Sequence, residues 1–202
     1  MGARHIIYRA AGQMPVDFDV WRRWERLAGS FGLDELELLL VVELARRGGS
    51  LSRADVSEAL AAGASELSRL INRAEEDALV MRASGVDRRC VSLELLERGW
   101  DVADEVLGVD GGAAVCEGVA SGAGLSGREL ARRCVAVNRQ LRKVRKDCSL
   151  TFSQAACLTA AAQLSLRPED PSAATQIECL TGIPRTTVRT ALSCLAARGF
   201  LS

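Results

Sequence analysis

Residues 51–77 read LSRADVSEALAAGASELSRLINRAEED, and this stretch decides the fold. Ser52 is suited to cap a helix, and Asp55 supplies an acid in its first turn. The sequence Ala61-Ala62-Gly63 predicts a tight turn, after which a second helix is expected from Ser65 to about Asp77. Apolar residues of that second helix recur at helical spacing. They are Leu67, Leu70, Ile71 and Ala74. Two short helices joined in this way indicate a helix-turn-helix pair.

The hydrophobic period changes directly after this pair. Residues 79–84 and 89–95 are short, β-capable and roughly alternating, and residues 85–88 between them predict a hairpin turn. Further helices are predicted before and after these elements, over 17–31, 34–47 and 97–107. This order predicts a mainly α-helical, winged helix-turn-helix unit over residues 15–107, with the hairpin as its small β wing.

The rest of the chain predicts a second unit of the same kind. Residues 108–127 contain seven glycines in twenty positions and are expected to be a linker. The second unit is predicted over 128–202, with helices from Leu150, Ala173 and Pro184. Leu67, Leu70 and Ala74 align with Val188, Ala191 and Leu195 at a constant offset of 121 residues. We therefore expect a tandem duplication of the whole unit.

The start of the second unit is a basic helix with a heptad pattern. Apolar residues repeat at intervals of four and three, at Leu130, Cys134, Val137, Leu141, Val144 and Cys148. Residues 128–147 also carry eight basic and two acidic side chains. The seam suits a dimerisation or inter-domain helix, or a helix that packs inside its own domain. The basic face either lies along a DNA backbone or is simply solvated.

Composition and charge exclude several classes of protein. The 202 residues are 48% hydrophobic and 26% charged, with 26 basic and 26 acidic side chains. We expect a globular protein, and not a polycation that coats nucleic acid through bulk charge. The longest aliphatic run, Leu38 to Val42, is too short to cross a membrane, and Arg9 interrupts any signal-peptide core. A cytosolic location without membrane contact is expected.

The residues that catalysis and metal binding need are scarce. His5 is the single histidine, and the sequence contains neither a dinucleotide-binding glycine motif nor a P-loop. The seven cysteines are an odd number and form no C-x-x-C pair, so no zinc site is expected. No enzyme activity, metal or cofactor is predicted, and most of the thiols are expected to be reduced core residues.

The two predicted recognition helices differ in charge. Residues 183–198 carry three arginines and no acid, whereas residues 64–78 carry two arginines and four acids. Because recognition helices insert their first turns into the major groove, short polar and basic residues there are candidate DNA contacts. In the second helix they are Arg185, Thr186, Thr187 and Arg189. In the first helix they are Ser65, Ser68, Arg69, Asn72 and Arg73. The first helix is expected to be the weaker DNA ligand.

Residues 33–100 resemble the DNA-binding core of the MarR (multiple antibiotic resistance regulator) family. The resemblance rests on Leu33-Asp34-Glu35-Leu36-Glu37, on residues 51–60 and 65–80, and on the hairpin sequence from Asp87 to Leu93. It implies a transcription factor that binds double-stranded DNA. It also implies that Arg89 reaches into the minor groove, that Asp87 orients arginines, and that Arg88 serves the wing.

Residues 150–202 resemble the same core, and the duplication is similar to the two-unit staphylococcal accessory regulators. Leu96 replaces the family's usual threonine, and the sequence ends at Ser202, where a second wing is expected to begin. That second wing is therefore either absent or truncated.

The resemblance further implies a homodimer or an intramolecular pseudo-dimer, and control by a small aromatic effector or by cysteine oxidation. Cys134 and Cys148, on the basic helix, are the candidate redox residues. Two alternatives to DNA binding remain: a protein-interaction scaffold with a degenerate winged-helix fold, and a switch that senses a ligand or an oxidant.

Overall fold

A computed structural model describes residues 16–84, 91–108, 125–166 and 170–201. The chain divides into two compact units. The first unit comprises Arg23–Val135, and the second comprises the described residues up to Arg22 together with those from Ala136 on. These bounds differ from those predicted from the sequence because two helices, one early and one central, each contribute residues to both units.

Nine helices and three strands are formed by the described residues. The helices are α1 (Phe18–Ser30), α2 (Glu35–Arg46), α3 (Arg53–Leu60), α4 (Ala64–Glu76), α5 (Glu97–Gly108), α6 (Gly127–Cys148), α7 (Phe152–Gln163), α8 (Ala173–Thr181) and α9 (Arg185–Ala197). The strands are β1 (Ser50–Ser52), β2 (Val80–Ser84) and β3 (Val91–Leu95).

The first unit has the element order and the sheet of a winged helix. Its three strands form an antiparallel sheet in the order β1-β3-β2, with Leu93 of β3 opposite both Leu51 and Arg82. Helices α3 and α4 form the helix-turn-helix, and Ala61 ends α3 in the left-handed conformation. The predicted hairpin strands are confirmed, whereas β1 was not predicted from the sequence. Its three residues gain their partners only from β3.

The core of the first unit is built on α2. A capping box begins this helix, in which the Asp34 carboxylate accepts from the backbone of Glu37 and the Glu37 carboxylate accepts from the backbone of Asp34. Leu38 to Leu44 are buried. Trp24 of α1 is fully buried and donates its indole N–H to the Glu35 carbonyl at 2.9 Å. The start of α2 is therefore fixed both by its cap and by this contact.

The described residues of the second unit are helical. A capping box between Thr151 and Gln154 begins α7, and Gly182 ends α8 in the left-handed conformation. The apolar faces of α8 and α9 are buried at Ile177, Val188 and Leu195. Trp21 packs against Phe152 with ring centroids 5.5 Å apart, which ties the first turn of α1 to α7.

Helix α6 confirms the long helix expected from the heptad pattern. Leu130, Cys134, Val137, Leu141 and Cys148 are buried, and Val144 is half-buried. The seam is thus covered within the chain itself, as expected for a helix that packs inside its own protein. None of the described helices is long and apolar enough to cross a membrane.

Candidate nucleic-acid interface

The first turns of α9 form an exposed polar surface. Pro184 precedes the helix, and the Glu178 carboxylate accepts a hydrogen bond from the backbone N–H of Arg185 at 3.1 Å. Val188, Ala191 and Leu195 of α9 are buried, and Leu192 and Cys194 are half-buried. Arg185, Thr186, Thr187 and Arg189 are all exposed. The structure brings together on one helix end the four residues predicted for the second unit.

The side chains of these four residues make no hydrogen bond or ion pair with the rest of the described chain. A guanidinium presents five N–H donors in a planar fork that matches guanine edges and phosphate oxygens, and a threonine hydroxyl donates or accepts. The surface therefore offers two unpaired cations and two adaptable polar groups at a helix end. We call these four residues the α9 surface.

The corresponding surface of α4 is largely occupied by contacts within the first unit. Ser65 and Arg69 are exposed and have no partner among the described residues. By contrast, Ser68 accepts a hydrogen bond at 2.6 Å from Arg53 of α3. Asn72 accepts one at 2.6 Å from Arg82 of β2. Of the five residues predicted here, two have no partner among the described residues and remain free to contact DNA. Arg73 is paired with two carboxylates.

Arg73 links α4 to the start of α2. Its guanidinium lies 2.7 Å from the Asp34 carboxylate and 3.2 Å from Oε1 of Glu37, which is fully buried. The approach to Glu37 has the distance of an ion pair but not the alignment of a hydrogen bond, so Oε1 has no hydrogen-bond partner. Burial raises the pKa of Glu37, against the lowering effects of its bond to the Asp34 backbone and of Arg73.

Arg82 is held in the same way. Besides its bond to Asn72, its guanidinium lies 2.6 Å from the Glu75 carboxylate, which also accepts from the Arg82 backbone N–H at 3.1 Å. Of the acids that lower the net charge of α4 in the sequence, Glu75 therefore acts locally, on Arg82. Asp34 and Glu37, at the start of α2, pair with Arg73 of α4.

The predicted wing contacts, Asp87, Arg88 and Arg89, lie outside the described residues. Strands β2 and β3, which carry the wing, are formed up to Ser84 and from Val91.

Neither candidate redox cysteine meets the requirements for that role, namely exposure and a lowered pKa. Both Cys134 and Cys148 are buried. Burial raises the pKa of Cys134 far above its ordinary value. Burial and Asp147 raise the pKa of Cys148, and Arg198 offsets only part of that effect. The sequence predicts that the arginines of α6 favour the thiolate, but burial is the largest influence at both sites and raises both pKa values.

Among the described residues, no three His, Cys, Asp or Glu side chains are grouped to hold a metal ion. Sequence reasoning missed Arg53 and Arg82 as neighbours of the recognition helix. Arg53 lies at the first position of α3, and Arg82 lies in β2, ten residues after its partner Asn72. No local pattern pairs these residues, because tertiary packing alone brings them to α4.

The architecture of the first unit defines a winged-helix protein. No family model matches the chain. No curated protein matches it either. Among solved structures, it is similar to the organohalide-sensing transcriptional regulator RdhR-CbdbA1625. The form with bound 2,4-dichlorophenol matches with 17% identity and a TM-score of 0.40 over 64% of this chain and 72% of that chain. The ligand-free form matches with the same identity and TM-score over 75% and 82%.

Proposed function

We propose that the protein is a non-catalytic, DNA-binding transcriptional regulator whose principal reading surface is the α9 surface. The observation that carries this proposal is the pair of exposed arginines, Arg185 and Arg189, unpaired among the described residues at the start of a helix that follows a turn. A recognition helix contacts base edges with its N-terminal residues. Arginines that already bind a carboxylate must give up that partner first, and these two have none to give up.

We also propose that the two helix-turn-helix segments arose by duplication, as the MarR-like pattern suggests. Helices α4 and α9 both have 13 residues and lie 121 positions apart. Ala61 and Gly182, at the same offset, are both left-handed helix caps. Ala78 and Gly199, which follow α4 and α9, also have positive φ angles, of 53° and 70°. Left-handed residues at matching places in the two segments, together with the equal helix lengths, support a common origin.

Selection from a random duplex library, followed by fluorescence anisotropy across a salt series, tests the proposed function. We expect enrichment of a preferred sequence and an affinity that falls steeply with salt. The double variant R185Q/R189Q should weaken binding by about 1–3 kcal/mol for each arginine that reads a base, or lower the salt slope by about one for each arginine that binds a phosphate.

The double variant R132Q/R133Q is a control that removes the same charge. Both of its arginines are on α6 and are already paired with Glu129, at 2.8 and 2.7 Å. It should bind DNA like the wild type. Failure of the wild-type protein to bind any duplex at low salt would overturn the proposal.

A scaffold role is the second candidate, and it applies to the first unit. The observation that favours it is the pairing of Arg73 and Arg82 with carboxylates, which leaves Arg69 as the unpaired arginine described on α4. If R69Q leaves DNA binding unchanged while R185Q/R189Q weakens it, the scaffold is the better assignment for the first unit. If the wild-type protein binds no duplex at low salt, the scaffold becomes the better assignment for the whole chain.

A further inference from the structure

The second half of α6 carries an exposed basic stripe that no part of the proposed function uses. Arg139, Lys143 and Lys146 are all exposed, and they are spaced four and three residues apart. At about 100° of rotation per residue, these positions fall within an arc of about 60°. They therefore form a single line along the helix, which we call the α6 stripe.

The α6 stripe lies opposite the buried seam of the same helix. Val137, Leu141 and Cys148 are buried, and on the helix they are centred about 170° from the stripe. The seam fixes the helix in the second unit, so the stripe is held pointing outward. The cationic groups are thus presented on a rigid element, which lowers the ordering cost of binding.

No carboxylate neutralises the α6 stripe within the described chain. None of its three residues forms an ion pair or hydrogen bond with a described residue. Asp147 is the one acid of this half of the helix in the sequence; it follows Lys143 by four residues, about 40° around the helix, but does not form an ion pair with it. The other two arginines of this half behave differently: Arg142 is buried and donates to Asn138 at 2.9 Å, and Arg145 is half-buried.

The stripe also lies in the same unit as the α9 surface. Arg198, which caps the end of α9, donates hydrogen bonds to the carbonyls of Cys148 and Ser149 at 3.0 and 3.2 Å. The end of α6 is therefore anchored to the end of α9, two residues beyond Lys146. A helix of 13 residues is about 20 Å long, so Arg185 lies about that far along α9 from this anchor.

We propose that the α6 stripe is a second DNA-binding surface, which contacts the phosphate backbone without reading sequence. This proposal rests on the part of the proposed function that assigns duplex DNA binding to the protein, and not on the choice of α9 as the reading surface. Residues four apart on a helix are separated by about 6 Å along its axis, and each DNA strand carries a phosphate every 3.4 Å or so. The three cations span about 10 Å of the helix axis, so a DNA strand beside them would present several phosphates along that length, and the charges are complementary.

The test measures the salt slope of duplex binding for R139Q/K143Q and for the triple variant that adds K146Q. Removal of one cation from a phosphate lowers the slope by about 0.9, so we expect reductions of about 2 and about 3, with the preferred sequence unchanged. R132Q/R133Q on the same helix removes as much charge as the double variant and should leave the slope unchanged. All five substituted positions are exposed, and circular dichroism should confirm a wild-type fold.

The outcomes separate the two proposals. An unchanged slope in the stripe variants, with R185Q/R189Q defective, overturns the stripe and leaves the α9 surface standing. A reduced slope in the stripe variants, with R185Q/R189Q normal, overturns the α9 surface and supports the stripe. If R132Q/R133Q and R139Q/K143Q lower the salt slope equally, the effect comes from net charge and the stripe proposal is overturned. A wild-type protein that binds no duplex also overturns it.

Discussion

Helices α4 and α9 have the same length and the same flanking turns, yet they present their arginines in opposite ways. On α4, Arg73 is paired with two carboxylates, and the neighbouring Arg82 is paired with a third. On α9, Arg185 and Arg189 have no partner among the described residues. The same local fold thus carries, at α4, arginines that pair with carboxylates of the protein and, at α9, arginines that have no such partner among the described residues.

This difference shows that a recognition helix cannot be judged by its count of arginines. A guanidinium that already bridges Asp34 and Glu37 stabilises the unit, and its use on DNA would leave the buried Glu37 without its cation. We therefore expect the first unit to be rigid and weak in DNA binding, and the second to provide the affinity. Four predictions test this comparison.

The largest effect is expected from placing the acid of α4 on α9. Glu66 and Thr187 occupy equivalent positions, 121 residues apart. Thr187→Glu would place a carboxylate against the DNA phosphates or base edges, and we expect at least a tenfold loss of affinity for duplex DNA, since like-charge contacts cost several kcal/mol. Anisotropy with the selected duplex measures it. Thr187→Ser is the control and should bind within about twofold; an unchanged affinity in Thr187→Glu would show that α9 does not face the DNA.

Next in size is the loss of the Arg73 bridge. Arg73→Gln removes the cation beside the buried Glu37 carboxylate and should lower the unfolding free energy by about 1–3 kcal/mol. Arg69→Gln, one turn earlier and without a partner among the described residues, should change it by less than about 0.5 kcal/mol. Urea denaturation measures both. Equal stability of the two variants would contradict the structural role of Arg73.

The two capping boxes provide a smaller comparison. Thr151→Ala removes the cap of α7 and should cost about 1 kcal/mol. Asp34→Ala removes the cap of α2 together with an ion pair to Arg73, so its cost should be greater by up to about 1 kcal/mol. The same denaturation measurements apply. If Asp34→Ala is no more destabilising than Thr151→Ala, the ion pair adds nothing to stability.

The smallest expected effect is a dependence of the unfolding free energy on pH. It should come from the capping box of α2 and not from that of α7. The third helical residue is Glu37 in α2 and Gln154 in α7, and the latter does not titrate. Because burial raises the pKa of Glu37 above its ordinary value of 4.5, the native state retains this proton longer than the unfolded chain does. The unfolding free energy should therefore fall as the pH rises from about 4.5 through that raised pKa.

Glu37→Gln should make the capping box of α2 resemble that of α7, which has a glutamine at this position. The unfolding free energy should then depend less on pH in this range. Burial also raises the pKa of Glu35, so a smaller slope of the same sign should remain. Urea denaturation at intervals between about pH 4.5 and about pH 7 gives the slope, with Gln154→Ala as a control that should not alter it. A variant curve parallel to that of the wild type would rule out Glu37 as its source.

Much of the helical framework could be predicted because it depends on local periodicity. Leu67, Leu70 and Ala74 recur at the spacing of one helix face, and α4 is formed within one residue of the expected bounds. Strand β1 could not be predicted, because three residues carry no period and their partners lie in β3, 40 to 44 residues later.

The sequence predicts which residue types the candidate site contains. It does not predict which of those side chains are already paired within the protein. The sequence alone determined that α4 would be acidic and α9 basic, because charge is a property of composition. The tertiary structure decided which arginines are paired, because Asp34 and Arg73 are 39 residues apart and meet only when α4 packs beside the start of α2. It also decided the pKa values of the Cys134 and Cys148 thiols, because both side chains are buried and burial raises their pKa.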